Sequence, residues 1–136
     1  MTLLISIFFL LIASACFSGA EAALFTLASR STPLDSPLAS RLIANRSRVL
    51  TVIIFANLIV NLSFYASTYA LAEPFPLAQS ASINLIAVLT IVLFGEIAPK
   101  LVAHRHPIAF ARFSLPVVQV CYWLLDPFLR LFPRVN

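Results

Sequence analysis

The chain has 136 residues, of which 61% are hydrophobic and 10% are charged, and its mean hydropathy is +0.99. Because a soluble domain of this length carries about a quarter charged residues, the composition excludes an ordinary soluble domain and indicates an integral membrane domain. The net charge of +4 comes from basic residues that lie mainly between apolar runs, where they act as topology signals, so we do not expect nucleic-acid binding.

Three apolar runs are long enough to cross a bilayer, which requires about 20 residues. We predict spans over about 2–27, 49–72 and 81–100. The first run is longer than the apolar core of a signal peptide, which has about 7 to 15 residues, and no basic residue precedes it. We therefore keep it as a span, and the predicted fold class is an all-α integral membrane domain with three transmembrane helices.

The basic residues also predict the orientation of the chain. Four arginines lie between the first two spans and five basic residues follow from Lys100 onwards, whereas the connection between the second and third spans has none. Because basic residues favour the cytoplasmic side, we expect the N-terminus outside and the C-terminus in the cytoplasm of a plasma membrane, such as a bacterial inner membrane. A short cytoplasmic helix is predicted over 36–49, with Pro33 and Pro37 marking its start.

The last apolar segment, over about 107–132, is predicted to be an amphipathic juxtamembrane helix. Its polar residues Arg112, Gln119, Asp126 and Arg130 are spaced so that they form one stripe on a helix. A helix with such a stripe lies along the membrane interface. A fourth span, which would place the C-terminus outside, is the alternative.

A few polar side chains interrupt the apolar runs at a similar depth. Glu21, Asn57 and Glu96 each lie nine residues from an arginine near a membrane boundary, which is about 13 Å along a helix. Glu96 is the most informative, because a charge inside a span costs about 2.5 to 3.5 kcal/mol and is usually functional. Pro99 lacks the amide hydrogen that would bond the carbonyl of Gly95, so a carboxylate and a freed carbonyl are expected side by side.

Carboxylates, carboxamides, hydroxyls and a carbonyl form an all-oxygen set, which hard cations such as Mg²⁺ or Na⁺ prefer. Each group also has a structural interpretation. Ser18 and Ser63 could bond carbonyls of their own helices, and the asparagines could join neighbouring helices. Glu21 could pair with Arg30 or cap another helix. No hydroxyl stands beside a histidine or lysine base at helical spacing, so we do not expect an enzyme.

Three sequence motifs stand in order on the three predicted spans. They are Phe-Ser-Gly-Ala-Glu-Ala-Ala-Leu-Phe at 17–25, Asn-Leu-Ile-Val-Asn at 57–61 and Gly-Glu-Ile-Ala-Pro-Lys at 95–100. They resemble the Phe-Ser-Gly-Ser-Glu-Thr-Ala-Leu, Asn-x-x-Val-Asn and Gly-Glu-Ile-x-Pro-Lys elements in the transmembrane domain of the CNNM/CorC magnesium transporters. The resemblance covers nearly the whole chain. Ala20 and Ala56 depart from the serine and glycine that are usual there, so position 20 has no hydroxyl to offer as a ligand.

The resemblance implies a homodimer that holds a dehydrated Mg²⁺ between its spans and couples Mg²⁺ export to Na⁺ entry, and we expect it to work by alternating access. It also implies short cytoplasmic helices and a juxtamembrane helix. Glu21 and Lys100 also match motif positions, and for both a structural role is the alternative to a role at the ion. The metal ligands that the resemblance implies are Ser18, Asn57, Asn61, Ser63, the carbonyl of Gly95 and the carboxylate of Glu96.

The family usually continues into cytosolic CBS modules that bind nucleotide. These modules are missing from the sequence, so we expect a single excised membrane domain over 1–136 that contacts lipid and does not itself bind nucleotide. The alternative function is a non-transporting Mg²⁺ sensor or scaffold that regulates other channels. A purely structural helix bundle is a third hypothesis, which predicts no dependence on metal.

Overall fold

The computed structural model describes residues 1–29, 41 and 44–131. Every regular element in this part of the chain is helical, which confirms the all-α class. The third helical run is continuous from Leu77 to Arg105 but changes type along its length. The elements are α1 (Thr2–Ser29), α2 (Arg46–Ala72), α3 (Leu77–Thr90), a π-helical segment (Ile91–Ile97), α4 (Ala98–Arg105) and α5 (Pro107–Leu129).

Within the described residues, four helical segments are long and apolar enough to cross a membrane: Thr2–Ser29, Arg46–Ala72, Leu77–Arg105 and Pro107–Phe128. The chain is therefore a multi-pass membrane protein. The first three segments contain the predicted spans, and the third extends beyond its prediction at both ends. The prediction of only three spans differs from the four candidates, because the last segment is apolar enough to qualify in spite of its polar stripe.

Helix α1 lies at the centre of the bundle, where it contacts α2, the π-helical segment, α4 and α5. Its small side chains Ala20 and Ala23 are fully buried, and Ala56 of α2 and Ala111 of α5 join the same core. Small residues let helices approach closely, which favours association inside a membrane. A second cluster, built around Phe64 and close to the first half of α1, holds α2 against α3 and the π-helical segment.

Helix α5 packs its buried side against α1 and α2. Ala111, Leu115 and Val118 of α5 belong to the main core. The ring of Phe110 lies directly on Gly19, where there is no room for a β-carbon. Glycine at position 19 therefore determines how closely α5 approaches α1.

Two predictions fall wholly or partly on residues outside the described part of the chain. Half of the residues in the cytoplasmic helix predicted over 36–49 lie there, and its last residues, from Arg46 onwards, belong to α2. Arg30, the predicted partner of Glu21, lies there as well.

Candidate cation site

The third helical run changes its hydrogen-bond pattern next to the intramembrane carboxylate. The amide of Ala98 bonds the carbonyl of Leu93, five residues back, as in a π-helix. Pro99 follows at the start of α4 and has no amide hydrogen to donate to the carbonyl of Gly95, four residues back. Short π-helical turns inside α-helices are frequent at functional sites. Here the turn brings the carbonyls of Gly95 and Glu96 to α1.

Ser14 of α1 is the centre of a group of polar residues between the helices. Its side chain is fully buried, and its hydroxyl oxygen lies 2.8 Å from Oδ1 of Asn61, 3.4 Å from Oδ1 of Asn57 and 3.5 Å from the carbonyl oxygen of Gly95. A hydroxyl has one proton and donates one hydrogen bond at a time. Three acceptor oxygens therefore compete for a single donor.

The contact between α1 and the third helical run continues one helical turn further along α1, where Ser18 meets Glu96. The hydroxyl of Ser18, also fully buried, donates to the carbonyl oxygen of Glu96 at 3.4 Å. The carboxylate of Glu96 reaches α2, where its Oε1 accepts a hydrogen bond of 2.9 Å from Nδ2 of Asn61. We call these six residues the polar cluster: Ser14, Ser18, Asn57, Asn61, Gly95 and Glu96.

The polar cluster is rich in acceptor oxygens. The hydrogen bonds inside the cluster join five acceptor oxygens, from two carboxamides, two backbone carbonyls and one carboxylate, to the two serine hydroxyls and Nδ2 of Asn61. Hard cations prefer such oxygen ligands. No group of three or more His, Cys, Asp or Glu residues lies together among the described residues, so the donor set is not that of a thiolate or imidazole site for a transition metal.

Glu21 and Lys100 form an ion pair next to the polar cluster. The distance between Nζ of Lys100 and Oε2 of Glu21 is 3.6 Å, and both side chains are partly exposed. The expectation that Glu21 and Glu96 lie at one depth was wrong by about one turn, since the backbone of Glu96 contacts Ser18 and Glu21 contacts Lys100. The count of nine residues failed because it measured depth along each helix separately and could not include the offset between α1 and the third helical run.

The structure brings together five of the six predicted ligands: Ser18, Asn57, Asn61, Gly95 and Glu96. Ser63 is not among them, because its hydroxyl bonds the carbonyl of Ile59 in its own helix at 2.8 Å. Sequence reasoning missed Ser14. The available signal was its position four residues before Ser18, which places both hydroxyls on one face of α1.

Comparison with protein families matches the chain to the cyclin M transmembrane N-terminal domain, CNNM, over residues 5–135. No curated protein matches the chain. The family match covers nearly all of the chain, including the three motifs whose polar residues meet in the polar cluster. The chain therefore belongs to the CNNM family, as a transmembrane domain of that family.

Proposed function

We propose that the chain is the membrane domain of a Mg²⁺ transporter, and that the polar cluster binds a dehydrated Mg²⁺. The observation that carries this proposal is the convergence of carboxamide, hydroxyl and carbonyl oxygens beside one carboxylate, Glu96, within helices whose outer surfaces are apolar. A cation leaves its hydration shell only where oxygen atoms of the protein replace the water. The proposed ligands are Ser14, Ser18, Asn57, Asn61, the carbonyl of Gly95 and the carboxylate of Glu96.

The spacing of the oxygen atoms supports a small cation. Mg²⁺ binds oxygen at about 2.0 to 2.1 Å in an octahedron, so neighbouring ligands lie about 2.9 Å apart. The oxygen of Ser14 lies 2.8, 3.4 and 3.5 Å from three other oxygens of the polar cluster. The shortest distance is already close to the octahedral spacing, and shifts of about half an ångström would bring the other two to it. Na⁺ prefers the same type of ligand, and we propose that it is the coupling ion.

The transport mechanism that we propose is Mg²⁺ export coupled to Na⁺ entry by alternating access. Broken helices with exposed carbonyls hold ions in many secondary transporters, and the π-helical turn beside Pro99 supports a similar role here. The hydrogen bonds Ser14 to Gly95 and Ser18 to Glu96 advance in the same direction along α1 and the third run. The first and third spans are therefore parallel. This agrees with the proposed topology, in which the N-terminus is outside and the C-terminus is cytoplasmic.

We propose that α5 lies at the membrane interface and that the domain works as a homodimer in the plasma membrane. Phe113, Trp123 and Leu124 are exposed apolar residues on α5, whereas Arg112 and Gln119 are exposed polar residues beside its buried side. Apolar and polar strips on one helix fit a position between lipid tails and water. The homodimer rests on the family resemblance, and its interface would cover part of the apolar outer surface.

The first test is Mg²⁺-dependent stability of the purified protein in detergent. At a Mg²⁺ concentration 100 times the dissociation constant, binding raises the free energy of unfolding by about 2.7 kcal/mol. We expect this rise for the natural protein and its loss in Glu96→Gln. Glu73→Gln is the matched control, because Glu73 is an exposed carboxylate at the end of α2. Equal stabilisation of the natural protein and Glu96→Gln would overturn the proposed site.

The second test separates transport from sensing. Protein in liposomes is exposed to a Na⁺ gradient, and the movement of Mg²⁺ is followed with an indicator dye. Mg²⁺ flux that requires the Na⁺ gradient and is lost in Glu96→Gln supports coupled transport. Mg²⁺ binding without flux would contradict transport and support the sensor or scaffold. A purely structural bundle predicts neither binding nor flux.

A further inference from the structure

Three contacts define how α1 lies against the third helical run. Ser14 contacts Gly95, Ser18 contacts Glu96, and Glu21 contacts Lys100. The ion pair between Glu21 and Lys100 is thus the next contact after the polar cluster, towards the C-terminal ends of both helices. Whatever determines the position of the Lys100 ammonium group also determines the charge next to the proposed cation site.

Lys100 follows Glu96 by four residues in the same helical run. A glutamate four residues before a lysine on a helix is the favourable arrangement for a side-chain ion pair. The flexible four-carbon stem of lysine lets its ammonium group reach partners on either side. The structure nevertheless has Lys100 paired with Glu21 at 3.6 Å, and Glu96 accepts its hydrogen bond from Asn61.

An ammonium group on Glu96 would compete directly with Mg²⁺. The polar cluster contains a single carboxylate, so pairing between Lys100 and Glu96 would cancel the charge that attracts a divalent cation. With Glu21 present, the three side chains Glu21, Glu96 and Lys100 carry a net charge of −1. Without Glu21, the remaining two sum to zero.

We propose that Glu21 is a positioning residue, which holds Lys100 away from Glu96 and thereby keeps the Glu96 carboxylate free for Mg²⁺. This inference rests on the proposed function. It assigns Glu21 a role in cation affinity although its carboxylate binds Lys100 and not the cation. A different role, in which the ion pair only ties α1 to α4, makes other predictions for the same variants.

The test compares the Mg²⁺ dissociation constants of Glu21→Gln, Lys100→Gln and the double variant in detergent, measured by titration calorimetry. We expect Glu21→Gln to weaken Mg²⁺ binding about tenfold, which corresponds to about 1.4 kcal/mol. Lys100→Gln should bind Mg²⁺ at least as tightly as the natural protein. The double variant should regain the affinity of Lys100→Gln, because no ammonium group is left to compete.

A merely structural ion pair predicts a different pattern. Glu21→Gln and Lys100→Gln would then lose similar amounts of stability without Mg²⁺, and removal of Lys100 would not rescue Mg²⁺ affinity in Glu21→Gln. That pattern overturns the inference. If Glu21→Gln does not fold, Lys100→Gln alone decides the matter, since weaker Mg²⁺ binding in that variant contradicts competition by the ammonium group.

Glu96→Gln separates this inference from the proposed function. If Glu96→Gln binds Mg²⁺ as tightly as the natural protein, the proposed site itself fails. If Mg²⁺ binding requires Glu96 but Glu21→Gln binds normally, the site stands and only the role of Glu21 is overturned. The thermal unfolding of each variant without Mg²⁺ reports whether its fold is intact.

Discussion

Asn61 and Glu96 are joined by a hydrogen bond of 2.9 Å, from Nδ2 of the carboxamide to Oε1 of the carboxylate. The other end of the same carboxamide accepts a hydrogen bond of 2.8 Å from the hydroxyl of Ser14. One side chain of α2 therefore orients a group on α1 and a group on the third helical run. Ligands that are oriented in advance bind at a lower entropic cost, so Asn61 has a positioning role in addition to its proposed role as a ligand.

The first prediction concerns Asn61→Ala. We expect this variant to lose the Mg²⁺-dependent rise in unfolding temperature. Its free energy of unfolding without Mg²⁺ should fall by about 1 to 3 kcal/mol, because the charged carboxylate of Glu96 loses the hydrogen bond that Asn61 donates. Asn84→Ala is the matched control, since Nδ2 of Asn84 bonds the carbonyl of Ser80 in its own helix. Full retention of Mg²⁺ stabilisation in Asn61→Ala would contradict the prediction.

The second prediction compares two serines on different helices. Ser14→Ala removes a fully buried hydroxyl that contacts three oxygens of the polar cluster, whereas Ser63→Ala removes one that bonds its own helix. We expect Ser14→Ala to weaken Mg²⁺ binding about tenfold or more, which corresponds to about 1.4 kcal/mol, and Ser63→Ala to bind normally. Calorimetric titration with Mg²⁺ measures both. The reverse result would favour the ligand set implied by the family resemblance, which included Ser63.

The third prediction concerns the close approach of α1 to the π-helical segment at Gly95. A β-carbon added there would lie 2.9 Å from the hydroxyl oxygen of Ser14 and 2.9 Å from Cγ1 of Ile91, so both contacts have to be relieved by a shift of the side chains or of the helices. We expect Gly95→Ala to lower the free energy of unfolding by about 1 to 3 kcal/mol, as overpacking does, and to weaken Mg²⁺ binding.

The double variant Gly95→Ala with Ser14→Ala provides the check on this explanation. Removing the hydroxyl relieves one of the two close contacts, so part of the lost stability should return, while Mg²⁺ binding stays weak. A loss of stability in the double variant that equals the sum of the two single losses would show that the β-carbon and the hydroxyl do not interact.

The arrangement of the spans and most of the polar cluster follow from the apolar runs of the sequence. Long apolar runs predict membrane-spanning helices. Because successive spans alternate in direction, Asn57, Asn61 and Glu96 are then expected at similar depths in the membrane. The spacing of Ser14 from Ser18 places it on the same helix face, but spacing alone does not establish its role, because a serine in an apolar run has the same appearance whether it faces a partner or bonds its own helix. Ser6 of the same helix does the latter, with a hydrogen bond of 2.9 Å to the carbonyl of Thr2.

The π-helical segment and the depth of Glu21 were also beyond sequence reasoning. A π-helical turn shifts the hydrogen bonds of seven residues without changing the apolar pattern, and Pro99 indicated only that a carbonyl would lack its usual donor. The depth of Glu21 depends on how far α1 slides along α4. That offset is determined by side-chain packing between the helices. A count of residues along the sequence gives no information about this packing.

The fourth prediction concerns the contact that holds α5 on α1. The ring of Phe110 occupies the space that a β-carbon on residue 19 would need, so Gly19→Ala forces the ring or the whole of α5 to move. We expect a loss of about 1 to 3 kcal/mol in the free energy of unfolding. Replacing Phe110 by alanine in the same chain makes room for the new methyl group, so the double variant should be more stable than the sum of the single losses predicts, by about 0.5 to 3 kcal/mol. Unfolding in detergent of the natural protein, both single variants and the double variant measures this coupling; strictly additive losses would mean that Phe110 does not lie on Gly19 in the folded protein.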